Sequence, residues 1–493
     1  MPFPSSPGSG LAIGLDLGTS GMKAVALDPT GLVVARASAG YPTSRPEVGA
    51  SEQDPVSWID AAVECATQIR AQSAEPWEVI GLSGMIPTLV TTDATGRVVG
   101  RAITWEDARA EDDGDDFRLA VGADALYAAT GQWVDGRYLL PMLRRLSRVE
   151  PDRVRASTTL MSAKDYLFGR LTGTVVTDPS TASGYGCYDL QTGWWLDTVR
   201  EAARELSGVN LDLPPVLAST HLAPLQEAAA AALGVPAGVP VCLGAADSVM
   251  GAIGMGVTAS GDIAYVGGTS TVILGVLDYL PRDVQHRFLI TPMVEPETWG
   301  LEMDLLTTGA AFRWLASMLG MSDERALLEL AATSRAVDLP VFLPYLAPGE
   351  QGALWDPALT GTISGLHLAT NGADIARALV DGIVLESRRC MSVLAEFGFD
   401  GGPVRVSGGS ASDAWFRQQL ADATGRSVVT SAGSETDRSA AGAAAVGAGA
   451  IGWQLSSLVP ARESSVPAAE QSQRWAHASE RHDSALSAIR NLP

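Results

Sequence analysis

The sequence predicts an α/β protein made of two similar halves. Patterns typical of strands and of helices alternate along most of the 493 residues, and 46% of the residues are apolar, which is enough for sizeable cores. The tripeptide Gly-Thr-Ser occurs at residues 18–20 and again at 268–270, each time between two strand patterns. Since these copies lie 250 residues apart, one in each half, we infer an internal duplication.

The first half begins with a meander of three short strands. Glycine turns and an Asp-Pro-Thr-Gly turn separate the apolar runs, so consecutive strands are expected to be antiparallel neighbours. A helical pattern and further strand patterns follow. The predicted elements are the strands Leu11–Asp16, Lys23–Asp28 and Leu32–Ala35, the helix Trp58–Arg70, and the strands Val79–Leu82 and Thr88–Thr92.

The second half repeats the order of strand, glycine turn and strand after a buried strand and a short helix. A third glycine turn, at residues 407–410, follows another strand and precedes a helix. From about Ser464 the chain is polar, and we expect helix or loose structure there. The predicted elements are the strand Val239–Gly244, the helix Ser248–Met255, the strands Gly261–Val266, Val272–Val276 and Val404–Val406, and the helix Asp413–Thr424.

Charge and composition exclude several classes of partner. The formal net charge of −22 would repel nucleic-acid phosphates and anionic lipid. No apolar run reaches the roughly 18 residues of a membrane span, and the longest candidate, Ala440–Trp453, is mostly Ala and Gly. The four cysteines are far apart and form no Cys-x-x-Cys pair, which indicates a reducing compartment. We therefore expect a cytoplasmic protein that binds neither nucleic acid nor membrane.

Three common enzyme signatures do not occur in the sequence. The only lysines are Lys23 and Lys164, and neither forms the Gly-Lys-Ser/Thr step of a P-loop. The five histidines include no His-Glu-x-x-His, and there is no Gly-x-Ser-x-Gly elbow. A Walker-type NTPase is therefore excluded, and zinc-peptidase or lipase-like chemistry has no signature here.

The two Gly-Thr-Ser turns are candidate phosphate-binding loops. Backbone N–H groups in such turns are unobstructed and the hydroxyls add donors, so a turn of this kind could cradle phosphate oxygens. Gly-Thr-Ser is also common turn chemistry. Its repetition at equivalent places in two halves, with a Gly-Gly turn at 408–409, favours a function. The candidates are Gly18, Thr19, Ser20, Gly268, Thr269 and Ser270.

Two aspartates at predicted strand ends are candidates for the chemistry. Asp16 precedes the first turn, where its carboxylate could hold Mg²⁺ beside a bound phosphate; an Asx turn is the structural alternative. Asp247 follows a buried strand and begins a helix. It could cap that helix, or it could accept a proton from a sugar hydroxyl that attacks the γ-phosphate of ATP. Both roles are compatible, and the small residues at 244–246 leave room for a substrate.

The segment Asp16–Lys23, together with the second Gly-Thr-Ser turn and the Gly-Gly turn, resembles the superfamily of actin, sugar kinases and heat-shock ATPases. Within it the chain resembles FGGY-type carbohydrate kinases, and among them xylulose kinases most. The likeness spans nearly the whole chain, and the shared order of its short motifs carries it. These motifs are Glu52-Gln53-Asp54-Pro55 with Trp58; Gly81-Leu82-Ser83-Gly84; Trp105-Glu106-Asp107-Ala108-Arg109; Lys164-Asp165-Tyr166-Leu167 with Arg170-Leu171-Thr172-Gly173; Thr177-Asp178 with Ala182-Ser183-Gly184; Leu343-Pro344-Tyr345-Leu346 with Gly349-Glu350; and Ser407-Gly408-Gly409-Ser410 with Leu420-Ala421-Asp422.

The resemblance implies two actin-like (ribonuclease H-like) domains, 1–244 for the sugar and 245–493 for the nucleotide, with a nucleotide/sugar cleft between them. It implies ATP and Mg²⁺, a small sugar or polyol as substrate and, by analogy, a homodimer. Asp247 matches the catalytic base and Asp16 the magnesium-associated aspartate. The other corresponding positions are Thr19, Ser20 and Thr269 on the phosphate side, Gly309, Gly409 and Asp413 on the nucleotide side, and Ile86, Pro87, Trp105, Asp107 and Ser248 on the sugar side.

One departure from the family pattern affects the expected substrate. Xylulose kinases usually carry Gln-Met-His after Gly-Leu-Ser-Gly, whereas this chain has Met85-Ile86-Pro87. A pocket wall without a hydrogen-bonding group gives no added affinity for the substrate hydroxyl that would bind there. We therefore expect an altered sugar pocket, with another pentulose, a tetritol, a deoxysugar or a sugar acid as alternatives to D-xylulose. A second departure is Gln351, where Gly-Glu-Arg is common.

Two alternative functions compete with that of a sugar kinase of this type. The residues Gly244-Ala245-Ala246-Asp247 are similar to the anion hole of ribokinase-like enzymes, but the paired Gly-Thr-Ser turns argue against that fold. A non-catalytic, nucleotide-dependent sensor on the same fold is disfavoured by the presence of both Asp16 and Asp247. The chain shows no basic recognition helix, which argues against a transcriptional regulator.

Overall fold

The computed structural model describes residues 10–209, 212–347, 352–356, 358–431, 437–455 and 461–490, and these form two compact α/β units. Unit 1 comprises Met1–Gly256, Ile290–Trp299 and Asp437–Leu458, and unit 2 comprises Val257–Leu289, Gly300–Thr436 and Val459–Pro493. The predicted class, an α/β protein with two domains, is confirmed. The boundary expected at residue 244 takes no account of the two later segments that return to unit 1.

The elements follow the predicted order closely. The strands are β1 (Leu11–Leu17), β2 (Gly21–Leu27), β3 (Val33–Gly40), β4 (Thr43–Ser44), β5 (Glu52–Gln53), β6 (Trp77–Gly84), β7 (Leu89–Thr92), β8 (Ala102–Ile103), β9 (Thr159–Ser162), β10 (Tyr188–Asp189), β11 (Trp194–Trp195), β12 (Leu222–Pro224), β13 (Pro240–Ala246), β14 (Ile263–Gly267), β15 (Thr271–Leu277), β16 (Leu289–Pro292), β17 (Trp299–Leu305), β18 (Val341–Leu343), β19 (Thr362–Ser364), β20 (Val404–Gly408), β21 (Val428–Ser431) and β22 (Ala461–Ser465). The α-helices are α1 (Pro55–Gln72), α2 (Glu111–Val121), α3 (Ala123–Thr130), α4 (Leu139–Val149), α5 (Pro151–Ala156), α6 (Ala163–Thr172), α7 (Pro179–Ser183), α8 (Asp197–Ser207), α9 (Glu227–Leu233), α10 (Asp247–Gly254), α11 (Gly309–Met318), α12 (Glu324–Thr333), α13 (Gly372–Glu396), α14 (Ala414–Thr424), α15 (Arg438–Ala450) and α16 (Ser472–Arg490).

The main sheet of unit 1 has the strand order β12-β13-β6-β1-β2-β3. The hairpins β1–β2 and β2–β3 are antiparallel, as the meander predicted, whereas β6 pairs parallel to both β1 and β13. Every residue of β1 is buried, because this strand lies at the centre of the sheet. The carboxyl ends of β1, β6 and β13 therefore meet at one edge of the sheet.

The Ala/Gly-rich run near the end of the chain forms α15, which packs directly on β1 and β6. A methyl group added to Gly14 would lie 1.8 Å from the carbonyl oxygen of Ala440, and one added to Gly81 would lie 1.9 Å from that of Ala443. Both glycines are therefore required by close backbone approach. No helix among the described residues is long and apolar enough to span a membrane.

The main sheet of unit 2 repeats this topology, which supports the internal duplication. After β16, the strands of this sheet run in the order β17-β15-β14-β20-β21-β22. The hairpin β14–β15 is antiparallel, and β20 pairs parallel to β14 and to β21. The order β3-β2-β1-β6-β13 in unit 1 thus corresponds to β17-β15-β14-β20-β21. Each Gly-Thr-Ser turn joins the first two strands of its unit, as the sequence predicted.

Candidate active site

The two candidate aspartates lie at the carboxyl edge of the sheet in unit 1, on either side of β6. Asp16 in β1 is in register with Ser83 of β6, and Ala246 at the end of β13 is in register with Gly84. Asp247 follows Ala246 directly. Because adjacent strands are about 4.8 Å apart, the backbones that carry the two carboxylates are separated by about two strand spacings.

Asp16 is a buried carboxylate held by one side-chain hydrogen bond from the neighbouring strand. Ser83 Oγ donates to Asp16 Oδ1 over 2.8 Å, and only 7% of Asp16 is exposed. Burial raises the pKa of Asp16, and the charge of Asp437 adds to this, while the Ser83 hydrogen bond and the charge of Lys23 oppose it. Mg²⁺ prefers oxygen ligands and often takes a single protein carboxylate beside phosphate and water, so Asp16 fits that ion.

The first Gly-Thr-Ser turn is fixed by three side chains from other parts of unit 1. The Tyr41 hydroxyl donates to the carbonyl oxygen of Gly18. Gln53 Nε2 donates to the carbonyl oxygen of Thr19 over 2.7 Å, and Trp105 Nε1 donates to Thr19 Oγ1 over 3.0 Å. Trp105 is expected on the sugar side, but its indole N–H is hydrogen-bonded to the Gly-Thr-Ser turn. Burial raises the pKa of Tyr41, and the charges of Asp16 and Asp247 add to the effect, so its hydroxyl stays protonated.

Asp247 is the first residue of α10, and a backbone irregularity in β13 precedes it. The register of β13 against β6 shifts between Cys242 and Ala245. Within this bulge Gly244 has φ +73°, and a methyl group there would lie 1.7 Å from the carbonyl oxygen of Leu82. The N-cap of α10 is Ala246, so Asp247 does not occupy the capping position considered as the alternative. Its carboxylate lies in the first turn, where the helix dipole favours negative charge.

The neighbours of Asp247 fix its backbone and orient its side chain. Asp247 Oδ1 accepts the backbone N–H of Ser248 over 3.0 Å. Ser439 Oγ, at the start of α15, donates to the carbonyl oxygen of Asp247 over 3.0 Å. Asp247 and Ser248 are both half-buried. Ser248, expected to contact the sugar, is thus next to the candidate base.

Ile86 and Pro87 lie two and three residues after the end of β6 and are half-buried, whereas the Asp107 carboxylate is paired with Arg109. A methyl group on Gly184 would lie 3.4 Å from Pro87 Cβ, so Gly184 and Pro87 are close neighbours. Asp107 is 2% exposed and accepts hydrogen bonds from Arg109 Nε and Nη2 and from the backbone N–H of Ser51. The ion pair with Arg109 therefore occupies the Asp107 carboxylate, and its contact with a sugar stays a prediction. Residues 349–351, which hold the second departure from the family pattern, lie outside the described residues.

A buried network behind Asp247 was not assigned a function from the sequence, although part of it belongs to motifs named above. Lys164 Nζ lies 2.9 Å from Asp165 Oδ1 and 3.1 Å from Asp178 Oδ1, and all three side chains are fully buried. The sequence signal was the Lys-Asp pair in a chain that has only two lysines. The sequence does not show that Lys164 also contacts Asp178 and Leu243.

In unit 2 the second Gly-Thr-Ser turn packs against the start of α11. Gly309 N–H donates to the carbonyl oxygen of Gly268 over 3.1 Å, and Ala310 N–H donates to that of Thr269 over 3.0 Å. A methyl group on Gly309 would lie 2.3 Å from the Gly268 oxygen, so glycine is required there. Arg313 Nη2 donates to Thr269 Oγ1 over 3.1 Å, which places a guanidinium, a strong phosphate ligand, beside the turn.

Gly409 and Asp413 line a cavity of about 540 Å³ in unit 2. Asp413 is the N-cap of α14, and its Oδ1 accepts the N–H of Phe416 over 2.9 Å. Glu324 also lines the cavity, and burial raises the pKa of its carboxyl group. A cavity of this volume lies within the usual range of small-molecule sites. The full lining is Asp323, Glu324, Arg325, Leu328, Gly409, Ser412, Asp413 and Ala414.

Duplicated sheets, two glycine turns and strand-end aspartates define a class of two-domain α/β proteins, and comparison with known proteins identifies the family. Residues 11–254 match the N-terminal domain of the FGGY family of carbohydrate kinases, and residues 263–451 match its C-terminal domain. The chain therefore belongs to the FGGY family of carbohydrate kinases, phosphotransferases with an alcohol group as acceptor. The resemblance inferred from the sequence is confirmed.

Relatives with different substrates are similar to this chain to nearly the same degree. It is 30% identical over 421 residues to the xylulose kinase of Escherichia coli (strain K12), covering 84% of this chain and 85% of that protein. It is 27% identical over 430 residues to a gluconokinase of Bacillus licheniformis, covering 83% and 82%. Among solved structures, a xylulose kinase from Rhodospirillum rubrum superposes with a TM-score of 0.87 at 27% identity, covering 97% of this chain and 99% of that chain.

Proposed function

We propose that this protein transfers the γ-phosphate of ATP to a hydroxyl group of a sugar or polyol, as xylulose kinases do, through a sugar pocket altered at Ile86 and Pro87. The observation that carries the proposal is the position of Asp247. It lies at the carboxyl edge of the sheet, at the start of α10, across β6 from the buried Asp16. A base and a phosphate-side carboxylate on one edge are what phosphoryl transfer to an alcohol requires.

In the proposed reaction Asp247 is the general base. Its carboxylate accepts the proton of the attacking hydroxyl as the new O–P bond forms, and the bond between the γ-phosphorus and the ADP oxygen breaks. ADP leaves with the electron pair of that bond. The Ser248 N–H bond to Asp247 Oδ1 and the small residues before it keep the carboxylate oriented while a substrate approaches.

Asp16 is the residue that would hold Mg²⁺, with Ser83 fixing the carboxylate. When bound, the ion would neutralise negative charge on the β- and γ-phosphates. Mg²⁺ commonly takes one or two protein carboxylates and completes its shell with water and phosphate oxygens, which is consistent with a single strand-end aspartate. The turn at Gly18-Thr19-Ser20 would donate N–H and hydroxyl groups to phosphate oxygens, and Gly268-Thr269-Ser270 with Arg313 would do the same in unit 2.

The sugar pocket of this chain differs from that of xylulose kinases at Ile86 and Pro87, so other compounds are to be tested beside D-xylulose. Neither side chain has a hydrogen-bonding group, so this wall favours a carbon without a hydroxyl or a differently placed polar group. Another pentulose, a tetritol, a deoxysugar and a sugar acid are the candidates to test. The similarity to a gluconokinase is a second reason, independent of the pocket, to test a sugar acid.

The test is ADP release with Mg²⁺ and ATP across a panel of ketoses, polyols, deoxysugars and sugar acids. One compound should stimulate turnover, and Asp247→Asn should lower its kcat by about 100-fold or more, since a general base contributes at least that much. Asp197→Asn is the matched control, because Asp197 is the first residue of α8 as Asp247 is of α10, and it is exposed.

The outcomes separate the alternatives. Sugar-dependent turnover that survives Asp247→Asn within about tenfold contradicts the assignment of the base. Nucleotide binding without turnover on any compound favours the non-catalytic sensor instead.

A further inference from the structure

A buried lysine lies behind the strand that leads to Asp247. Lys164, in the first turn of α6, is fully buried, and its Nζ lies 2.9 Å from Asp165 Oδ1 and 3.1 Å from Asp178 Oδ1. The same Nζ donates to the carbonyl oxygen of Leu243 over 3.3 Å. A buried charge needs such partners, and replacing a buried ion pair with apolar residues is often neutral for stability. The stability of the fold alone therefore does not explain why Lys164 is buried with these two aspartates.

The network continues from Asp178 to the backbone beside Asp247. Ser180 Oγ donates to Asp178 Oδ2 over 2.5 Å and accepts the N–H of Ala246 over 2.9 Å. Ala246 is the residue directly before Asp247. The ion network thus contacts both ends of the segment Leu243–Ala246, at the carbonyl oxygen of its first residue and the N–H of its last.

This segment needs support because it departs from regular strand geometry. The register shift of β13 falls between Cys242 and Ala245, and Gly244 has a positive φ of 73°. A bulge re-aims the chain that follows it, so the direction of Asp247 depends on how the bulge is held. Lys164, Asp178 and Ser180 come from α6 and the start of α7, which are distant in sequence from β13.

We propose that Lys164, Asp178 and Ser180 are positioning residues that fix the segment Leu243–Ala246 and thereby aim the carboxylate of Asp247 at the reacting hydroxyl. This inference rests on the proposed function of Asp247. It assigns to the Lys-Asp motif a role in catalysis exerted through the backbone, without contact with substrate.

A variant at Ser180 can distinguish this positioning role from the capping of α7. Asp178 caps α7 by accepting the N–H groups of Ser180 and Thr181, and these bonds do not involve the Ser180 hydroxyl. Ser180→Ala therefore keeps the cap and the Lys164 ion pairs but leaves the Ala246 N–H without its acceptor. Ser183→Ala is the matched control, because Ser183 is a buried serine of the same helix and its hydroxyl donates to Pro179 O within that helix.

The experiment compares wild type, Ser180→Ala and Ser183→Ala in two measurements. The first is kcat and KM with the best compound of the panel and with ATP. Ser180→Ala should lower kcat by about tenfold to a hundredfold and change KM for ATP by less than about twofold, since small misplacements of reacting groups act on kcat. The second is amide hydrogen exchange of the peptide that covers 243–248, which should be about tenfold faster or more in Ser180→Ala alone.

Each result bears on the inference. Equal kcat and equal exchange in the two variants overturn it, and so does faster exchange with an unchanged kcat, which would make the network purely structural. A wild type that phosphorylates no compound contradicts the proposed function; the exchange rates then still decide whether Ser180 holds the segment.

Discussion

Ser83 illustrates how much one hydroxyl contributes to the site. The sequence predicted that Asp16 ends a strand and that Asp247 follows one, and the structure has Asp16 near the end of β1 and Asp247 directly after β13. The sequence contains Gly81-Leu82-Ser83-Gly84 as a motif but gives Ser83 no role, because the motif does not show which side chain Ser83 contacts. Only the parallel pairing of β1 with β6 brings its Oγ to 2.8 Å from Asp16 Oδ1.

Removing this hydroxyl should weaken magnesium binding. Ser83→Ala deletes the hydrogen bond that orients Asp16, and the loss of such outer partners commonly lowers metal affinity about tenfold to a hundredfold. We expect the Mg²⁺ concentration for half-maximal turnover at fixed ATP to rise by that factor. Ser183→Ala should leave it unchanged. A Ser83→Ala protein with the wild-type Mg²⁺ requirement would show that Asp16 needs no such support.

At the level of elements, α15 determines which residues β1 and β6 can carry. Its backbone lies so close to Gly14 and Gly81 that a methyl group would fall within 2 Å of Ala440 or Ala443 oxygen. The sequence contains Ala440–Trp453 as an Ala/Gly run. Its small side chains allow α15 to pack closely on the central strands of unit 1. The same helix places Ser439 on the backbone of Asp247.

Gly81→Ala should therefore destabilise unit 1. The added methyl must displace the backbone of α15, and overpacking of this kind typically lowers the free energy of unfolding by about 1–3 kcal/mol, occasionally more. The control is Gly449→Ala, on the exposed side of the same helix, where no atom lies within 4 Å of the added methyl. That change should raise stability by up to about 1 kcal/mol through helix propensity. Denaturant unfolding measures the free energy of unfolding of both variants. Equal changes in the two variants would contradict the close packing of α15 on Gly81.

At the scale of the whole molecule, the main sheets of the two units share one topology, and unit 2 has in addition a buried ionic cluster near its last helix. In unit 2, α16 is joined to α13 by a buried cluster around Glu386. Its Oε1 lies 2.6 Å from His482 Nε2 and accepts the Tyr345 hydroxyl over 2.8 Å, while Arg389 Nε donates to Oε2 over 3.1 Å. Burial raises the pKa of Glu386, but the His482 hydrogen bond and the charge of Arg389 outweigh it and lower the pKa to about 2.

This cluster predicts a loss of stability in acid. Glu386 titrates near 4.5 when unfolded and near 2 when folded, so its contribution is fully present above about pH 4.5 and disappears as the pH falls through about 2. The contribution is of the order of 3 kcal/mol. Glu386→Gln should be less stable than wild type at pH 7, and the difference should narrow as the pH falls. The control is Glu329→Gln, an exposed carboxylate on α12. A difference independent of pH would contradict the assignment.

The sequence by itself determined the elements, the duplication, the family and the two strand-end aspartates. These depend on local patterns: apolar periodicity, turn residues, and short motifs in a fixed order. The expected homodimer and the cleft between the domains stay predictions.

The tertiary structure alone decided which distant residues support the site. Trp105 turned out to bind Thr19, Asp107 to pair with Arg109, and Lys164 to reach Leu243, 79 residues further along the chain. Hydrogen bonds and ion pairs act over about 3 Å, so their partners are determined only when the sheet has brought separate segments together.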